Sequence, residues 1–313
     1  MSMNTSGMDA LTRVLELANV QGALDVRCYL AGGFSLDHED ALPGEAPFHL
    51  VLAGAARLEL PGHATVDMAA GDLVVLPQGT RHRVHDGGPR SAAVEPLLDH
   101  RGPLDIKRNT LGPADLDLLC GRFTFAPDAA RLLLNALPEV LHVKLADDHG
   151  LPALEAIVGM FRNEVTRLEP GALSVVTALT RALFVFALRA HLRQGTLPPS
   201  LLSLMGDPRL GNAVLAMLRD PSREWTVATL AAEAAMSRAT FARHFEAKGK
   251  IPPHEVLTLL RMHLAGDLLR RGELTAGAVA DRVGYKSESA FGKTFTRVMG
   301  TTPARFRRDN QLA

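Results

Sequence analysis

One pattern occurs twice in the last hundred residues of this chain, and it constrains the fold more than any other feature. In residues 230–245 and again in residues 279–295, a short apolar helical segment is followed by a tight turn and a second helix that begins at a hydroxyl residue. Ala231 matches Ala280 at an offset of 49. At an offset of 50, the matching residues are Phe241, Phe245 and Pro253 with Phe291, Phe295 and Pro303. The change of offset indicates one residue inserted near Ala290. Each copy is typical of a helix-turn-helix, and two tandem copies suit two successive major grooves of DNA.

The outward-facing side chains of the two second helices are the candidate DNA contacts. The paired phenylalanines are four residues apart and therefore face inward together. Ser237 and Ser287 are suited to cap these helices, and Gly284 can take the positive φ of the second turn. Cationic side chains bind guanine or phosphate, and hydroxyl groups bind base edges or phosphate. The predicted DNA-binding residues are Arg238, Thr240, Arg243, His244, Ser287, Glu288, Ser289 and Lys293.

The connector between the copies and the distribution of charge agree with this interpretation. Residues 254–271 predict an amphipathic helix that starts after Pro253 and stops at Gly272. Eighteen helical residues span about 27 Å, of the order of the roughly 34 Å between successive turns of DNA. The whole chain has 34 basic and 34 acidic residues, but from Ala213 onward there are 16 basic and 10 acidic residues. An excess of cations in the C-terminal part suits a phosphate backbone.

Residues 210–308 resemble the DNA-binding domain of AraC/XylS-type bacterial transcription regulators. The strongest match covers residues 280–291, Phe295 and residues 300–307. The resemblance implies a sequence-specific transcription regulator, an activator rather than a repressor, with promoter DNA and RNA polymerase as partners. The chain departs from the pattern at Lys250, where the first copy lacks the glycine found at Gly300, and Gly249 is expected to take that turn instead.

The N-terminal part changes to short strands separated by glycine and proline, from about residue 26 to residue 94. This spacing predicts a small antiparallel barrel or sandwich. Residues 71–86 resemble the second cupin motif, with Asp86 where asparagine is usual; the first motif is eroded and retains His49. We therefore predict an α+β protein of two domains, an N-terminal cupin-like β-barrel with a helical extension and a C-terminal all-α domain with two helix-turn-helix units.

Several imidazoles are placed to converge at the mouth of this barrel: His38, His49, His82 and His85, with Glu45 as a carboxylate. Three such ligands suit a divalent metal, and His49 and His82 are the metal candidates. In the alternative interpretation His82 closes a turn by hydrogen bonding, His49 lies in the wall, and no cofactor is bound. A cupin metalloenzyme with an accessory DNA-binding domain is a further alternative. Because the ligand set is incomplete, we expect no catalytic residues and no enzyme.

The two cysteines, Cys28 and Cys120, begin and end the predicted barrel. Around them, residues 8–15, 21–25 and 119–121 resemble the RclR-type reactive-chlorine-sensing branch of the AraC family. In that branch oxidation of a cysteine pair turns on transcription, and the resemblance assigns that role to these two cysteines. Arg27 and Arg122 are expected to lower the thiol pKa values. A small apolar or aromatic effector, a metal, or an unliganded sensor remain as alternatives.

The domain boundaries follow from these patterns. Residues 1–195 form the sensor domain, residues 196–208 the linker, and residues 209–313 the DNA-binding domain, with helix-turn-helix units at about 225–246 and 275–296. Two helices at 151–168 and 172–194 are predicted either to form a homodimer contact or to cover the barrel. The run 172–192 contains two arginines and predicts a buried or interface helix rather than a membrane span. The start of the chain lacks a secretory signal pattern, so a cytoplasmic location is expected.

Overall fold

The computed structural model describes residues 8–89, 94–100, 104–109, 112–126, 133–144, 152–167, 169–193 and 198–311. The chain divides into two compact units. The sheet unit comprises Val20–Phe125 and Leu137–Gln194, and the helical unit comprises Met1–Asn19, Ala126–Ala136 and Gly195–Ala313.

Strands of the sheet unit form two stacked sheets within the described residues. The strands are β1 Gln21–Leu30, β2 Ser35–His38, β3 Glu45–Ala53, β4 Ala55–Glu59, β5 Val66–Ala69, β6 Leu73–Val75, β7 His82–His85, β8 Leu97–Asp99, β9 Asp105–Arg108, β10 Leu116–Thr124 and β11 Leu141–Val143. One sheet has the order β11-β6-β3-β10-β1-β9-β8 and the other β2-β7-β4-β5. A single core cluster contains residues of both sheets, so the described strands form a sandwich, one of the two arrangements that the strand pattern predicts.

The burial pattern of each strand follows from what covers it. On β4 every second residue is buried, because only one face of that strand meets the core. On β3, five consecutive residues from Phe48 to Leu52 are buried, because the large sheet is covered on both faces. Its outer face packs on helices α2 (Pro152–Arg167) and α3 (Ala172–Arg193). The ring of Phe123 on β10 lies 4.7 Å from that of Phe184 on α3.

Helix α3 is long and apolar enough to cross a membrane by length and composition alone. Its buried residues, among them Val176, Leu183 and Leu188, give it a role in covering the large sheet. Both predicted helices are therefore present, with ends within one residue of those expected.

The helical unit contains α1 Ala10–Leu17, α4 Leu201–Gly206, α5 Leu210–Arg219, α6 Val227–Glu233, α7 Arg238–Gly249, α8 Pro253–Arg271, α9 Ala276–Arg282, α10 Glu288–Met299 and α11 Pro303–Gln311. The two helix-turn-helix units are α6–α7 and α9–α10, as predicted. Ser237 caps α7 and Ser287 caps α10 through their hydroxyl oxygens, which accept from the amides of Thr240 and Ala290. Phe291 and Phe295 are fully buried beside Met262 and Leu269 of α8, which thus supports the second unit.

Equivalent positions in the two turns locate the inserted residue. Ala235 in the first turn and Gly284 in the second both have positive φ, at an offset of 49. The caps Ser237 and Ser287 are at an offset of 50. The extra residue therefore lies inside the second turn, before Ser287, and the prediction that placed it near Ala290 is wrong.

Gly284 is required for space as well as for its φ of 84°. A Cβ atom there would lie 2.8 Å from the Cα of Ser222, in the loop before α6. Arg261 of α8 donates to the carbonyl oxygens of Pro221 and Arg223 in the same loop, at 2.7 and 3.1 Å. The second turn, the connector helix and this loop are thus packed together, which fixes one helix-turn-helix against the other.

Lys250, not Gly249, makes the turn after α7. Lys250 has a φ of 50° and donates its amide to the carbonyl of Glu246, as Gly300 does to Thr296 after α10. Gly249 is the last residue of the helix and is buried, and a Cβ atom there would lie 2.8 Å from Leu204. The expectation that Gly249 replaces the missing turn glycine is therefore wrong, because its role is close packing against α4.

The predicted boundaries differ from the structure at two places. The linker predicted at 196–208 contains helix α4, which Ser200 caps and which packs within the helical unit. Residues 196 and 197 of that stretch lie outside the described residues. Helix α1, predicted as part of the sensor domain, belongs by its contacts to the helical unit, where it packs on α4 and α5.

Candidate functional site

The first candidate site is the exposed surface of α7 and α10. Arg238, Thr240 and Arg243 are exposed on α7, and Ser289 and Lys293 are exposed on α10. Among the described residues, the side chains of Arg238, Arg243 and Lys293 form no ion pair. Three cations are thus held on the outer faces of the two second helices without an internal partner, as phosphate or guanine recognition requires.

The other predicted contact residues have structural partners. His244 is partly buried, and its Nε2 lies 2.8 Å from Oδ2 of Asp207. The other carboxylate oxygen of Asp207 accepts from the amides of Arg209 and Leu210 at the start of α5. Although burial raises the pKa of Asp207, the Leu210 amide, His244 and the Arg209 amide together lower it below its ordinary value. His244 therefore ties α7 to α5, a contact that the sequence pattern did not reveal.

Some of the predicted DNA-binding residues also take part in capping the two helices. The hydroxyls of Ser237 and Thr240 lie 2.9 Å apart, and the Ser287 oxygen accepts from Ala290 at 3.4 Å. Glu288 is exposed in the first turn of α10, where a carboxylate is favourable to the helix dipole. These residues position the two helices whatever they contact on DNA.

The second candidate site is a cluster of imidazoles and thiols in the sheet unit. His49 on β3 is the cross-strand partner of Cys120 on β10, and His38 on β2 is the partner of His82 on β7. His49 Nδ1 lies 3.2 Å from Cys120 Sγ, and His49 Nε2 lies 2.7 Å from His82 Nε2. The rings of His38 and His82 are stacked with centroids 4.6 Å apart. The structure thus brings together three of the four predicted histidines.

His85 and Glu45 lie outside this cluster. His85 is three residues beyond His82 and therefore on the opposite face of β7, where its Nδ1 accepts from the amide of Gly87. Glu45 lies near Arg122, 3.6 Å from its Nε. Neither side chain joins the imidazoles as predicted.

Hydrogen-bond partners fix where the protons of the cluster lie. His82 Nδ1 is 2.9 Å from the carbonyl oxygen of Thr80, which can only accept, so this nitrogen carries a proton. Burial lowers the pKa values of His82 and His49, and both rings are neutral near pH 7. His82 Nε2 is therefore an acceptor, His49 Nε2 donates to it, and His49 Nδ1 is left to accept from the Cys120 thiol.

His38 completes the cluster with an unused nitrogen. Its Nε2 atom is buried and has no hydrogen-bond partner among the described residues. Burial, with His82 and Lys107 nearby, lowers the pKa of His38 to about 3, so that it too is neutral. A buried ring nitrogen without a hydrogen-bond partner is costly unless something binds to it.

Cys28 and Cys120 are both buried and both free. Cys28 is paired across the strands with Leu118, and Cys120 with Val26, so the cysteines are diagonal neighbours on one face of the sheet. A hydrogen bond with Cys28, together with burial, raises the pKa of Cys120 well above its ordinary value. The resting state of Cys120 is therefore a thiol.

The expectation that two arginines lower the thiol pKa values is wrong for Cys120. Arg27 is on the opposite face of β1, where it forms a bidentate ion pair with Asp117 at 2.7 and 2.9 Å. Arg122 is on the same face as Cys120, but it is paired with Asp25 at 3.1 Å and with Glu45. Both guanidinium charges are already balanced by carboxylates.

An open cavity of about 560 Å³ reaches this cluster, and His38, His49 and Cys120 are in its wall. Carboxylates outnumber cations in the rest of the wall, where Lys107 and Arg122 are the basic residues. The acidic lining residues are Asp25, Asp37, Glu39, Asp40 and Glu45. The cavity therefore favours neutral molecules or cations over anions.

Comparison with known proteins gives a family match for the part of the chain that carries each site. A family model described as "Cupin" matches residues 9–193, and one described as "Helix-turn-helix domain" matches residues 230–309. A putative AraC-like transcription regulator of Streptomyces lividans is 34% identical over 304 residues, covering 96% of this chain and 98% of that protein. The chain belongs to the AraC-like family of transcription regulators.

Two further proteins resemble this AraC-like regulator. The RCS-specific HTH-type transcriptional activator RclR of Escherichia coli strain K12 is 32% identical over 309 residues, covering 98% of this chain and 100% of RclR. The DNA-binding domain of AdpA, solved in complex with a target DNA, is 33% identical and covers 34% of this chain and 95% of that chain, with a TM-score of 0.32. The two family models and the full-length relatives confirm the predicted cupin-type N-terminal domain, the helix-turn-helix domain and the regulatory function.

Proposed function

We propose that this regulator senses a neutral electrophilic oxidant at Cys28 and Cys120 and passes that signal to promoter binding by α7 and α10. One observation carries the sensing half of the proposal. The Cys120 thiol contacts both a second thiol and an imidazole nitrogen in the wall of an open cavity. The similarity to RclR, a transcriptional activator in Escherichia coli, supports the same assignment.

The chemistry uses these three side chains in order. Cys120 attacks the electrophilic atom of the oxidant, the chlorine of hypochlorous acid or an oxygen of hydrogen peroxide, while its proton passes through His49 Nδ1 to the departing hydroxide, which leaves as water. Hydrogen peroxide gives the sulfenic acid directly. The sulfenyl chloride formed from hypochlorous acid becomes the sulfenic acid when water replaces chloride and HCl leaves. Cys28 then attacks the sulfenic sulfur, an S–S bond forms, and water departs. The two thiols lose two electrons and two protons, and the oxidant gains them.

Closing this disulfide must move the strands. Diagonal neighbours in an antiparallel pair have Cα atoms about 7–8 Å apart, whereas disulfides need about 4.4–6.8 Å. Strand β1 also carries α3 on its outer face, and Arg27 next to Cys28 donates to the carbonyl of Val165 in α2 at 3.0 Å. Displacement of β1 therefore reaches the two outer helices directly.

The cavity lining supports a small neutral oxidant over an apolar or aromatic effector. Its wall is rich in carboxylates, which repel anions and do not favour apolar molecules, whereas hypochlorous acid and hydrogen peroxide are small and neutral. We also infer activation through RNA polymerase, a cytoplasmic location and a homodimer. The protein acts by binding rather than by catalysis.

The test is a thiol count by mass spectrometry on the reduced full-length protein, before and after one or two equivalents of hypochlorous acid or hydrogen peroxide. We expect a Cys28–Cys120 disulfide in high yield. DNA ligands are then selected from a random-sequence pool, once with the reduced protein and once with the oxidised protein. Comparing the two selections measures the change in DNA binding. Cys28→Ser and Cys120→Ser variants should bind DNA as the reduced wild type does and should not respond to oxidant.

Comparing wild type with the double Cys→Ser variant distinguishes oxidation of the two cysteines from oxidation of other residues. Methionine oxidation will occur in wild type and in the double Cys→Ser variant alike, so a response shared by both does not involve the cysteines. If both thiols stay reduced while nearby methionines oxidise, or if the double variant still responds, the sensing proposal is overturned. That result would not affect the proposal that the reduced protein binds promoter DNA.

A further inference from the structure

We infer that His38, His49 and Cys120 form a binding site for a thiophilic d¹⁰ metal ion, Zn²⁺ or Cu⁺. The ligand atoms of these three residues all lie within 4.8 Å of one another. Two imidazoles and one thiolate are the donors that such ions prefer in proteins. Cys120 comes from β10 and His38 from β2, so the set differs from the sequence-predicted pair of His49 and His82.

The spacing of the donors fits a single ion. A tetrahedral zinc site, with bonds of about 2.0 Å to nitrogen and about 2.3 Å to sulfur, holds the two ligand atoms roughly 3.5 Å apart. His49 Nδ1 and Cys120 Sγ lie 3.2 Å apart, so they need to separate by only a few tenths of an ångström. The ion would replace the thiol proton that now lies between these atoms.

The remaining donors are already arranged for coordination. His49 Nδ1 is the lone-pair nitrogen of its ring, because His49 Nε2 donates to His82 and His82 is in turn held by the carbonyl of Thr80. Metal-binding histidines are usually oriented in this way through their second nitrogen. His38 supplies a buried Nε2 that has no partner among the described residues. His82 is therefore a positioning residue for His49.

The approach to the site also suits a cation. His38, His49 and Cys120 line the same cavity, whose other titratable residues are mainly carboxylates. This lining attracts a metal ion and leaves a fourth position open towards the cavity. Cys28 lies beside Cys120 but is outside the cluster of ligand atoms.

Metal titration of the reduced, chelator-treated full-length protein tests the inference. With Co²⁺ as a spectroscopic probe, we expect one equivalent to produce a near-ultraviolet thiolate-to-cobalt charge-transfer band, and Zn²⁺ to abolish it by competition. Titration with Cu⁺ under anaerobic conditions, against a coloured Cu⁺ chelator, shows which of the two ions binds more tightly. Binding of none of the three ions by the folded protein overturns the inference.

Variants assign the ligands. Cys120→Ser should lose the charge-transfer band and weaken Zn²⁺ binding at least a hundredfold. His38→Gln should weaken it at least tenfold, and His82→Gln about 10–100-fold through its effect on His49. Cys28→Ser and His100→Gln, which replace a thiol and an exposed imidazole outside the set, should leave the affinity unchanged. Circular dichroism and DNA binding of each variant check that it is folded.

The outcomes are distinct from those of the oxidant test. The proposed site is wrong if Cys120→Ser keeps the charge-transfer band and full Zn²⁺ affinity while His100→Gln weakens binding. The metal would then bind elsewhere. Disulfide formation is measured without metal and needs Cys28, whereas metal binding does not need it. Each proposal can thus fail while the other stands.

Discussion

At the scale of single residues, the two copies of the helix-turn-helix solve the same steric problem with different side chains. A left-handed backbone is needed after α7 and after α10, and the residues that adopt it are Lys250 and Gly300. A side chain with a Cβ atom is strained in that conformation by about 1 kcal/mol or more, and glycine is not. The first copy therefore carries a strain that the second avoids.

Replacing Lys250 by glycine should stabilise the helical unit by about 1 kcal/mol. Urea unfolding followed by the fluorescence of Trp225 measures this, because Trp225 is the only tryptophan of the chain and lies in the helical unit. Lys248→Gly is the matched control, since it places glycine inside the last turn of α7 and should destabilise by about 1 kcal/mol. Equal shifts of the same sign for both variants would contradict the assignment of strain to Lys250.

At the scale of elements, α7 and α10 are presented rigidly because each is capped by a serine and anchored by two buried phenylalanines. The outward cations between these anchors have no ion-pair partner among the described residues. In contrast, the neighbouring Lys286 is paired with Glu224 at 2.6 Å, outside the two helices. The free cations, rather than every charge near the turn, are therefore the DNA contacts to test.

Arg243→Ala and Lys293→Ala should each weaken binding to the selected DNA by about 1–3 kcal/mol where the residue contacts a base edge. A residue that contacts phosphate alone should instead lower the salt dependence of binding by about one ion. Gel-shift titrations at several salt concentrations distinguish the two. Arg271→Ala removes an exposed charge from α8, where Arg271 is paired with Asp267, and should have little effect. Unchanged affinity for both test variants would show that α7 and α10 are not the recognition helices.

At the scale of the whole molecule, the outer helices of the sheet unit retain uncovered apolar side chains. Met160 on α2 is 51% exposed, and Leu173 and Val175 on α3 are 45% and 43% exposed. Exposed apolar side chains on helices that cover a sheet are candidates for an interface. The homodimer proposed above would bury these side chains against a second copy of this chain.

A Leu173→Lys, Val175→Lys double variant should convert the proposed homodimer to a monomer, because it replaces two exposed apolar side chains of α3 by charges. Light scattering after gel filtration measures the mass. Leu97→Lys, on β8 and 80% exposed, is the matched control and should leave the dimer intact. A wild-type protein that is monomeric at tens of micromolar would rule out this interface.

Elements whose signals are local can be predicted from the amino-acid sequence alone. Hydroxyl caps and the spacing of the phenylalanines predict both helix-turn-helix units, and the turn glycine adds to the second, because each signal acts within one or two helical turns. The apolar runs likewise predict α2 and α3 nearly to their ends. Alternation predicts single strands such as β4, where only one face is covered.

Contacts between residues far apart in the chain depend on how strands and helices pack, which local patterns do not predict. Cys120 and His49 are 71 residues apart and become cross-strand partners because β3 and β10 pair in the large sheet. No local pattern encodes that register, so the sequence named His49 as a candidate metal ligand and Cys120 as a redox cysteine but missed their contact. The same holds for His244, which the local pattern turned outward and which Asp207, 37 residues away, draws into a hydrogen bond.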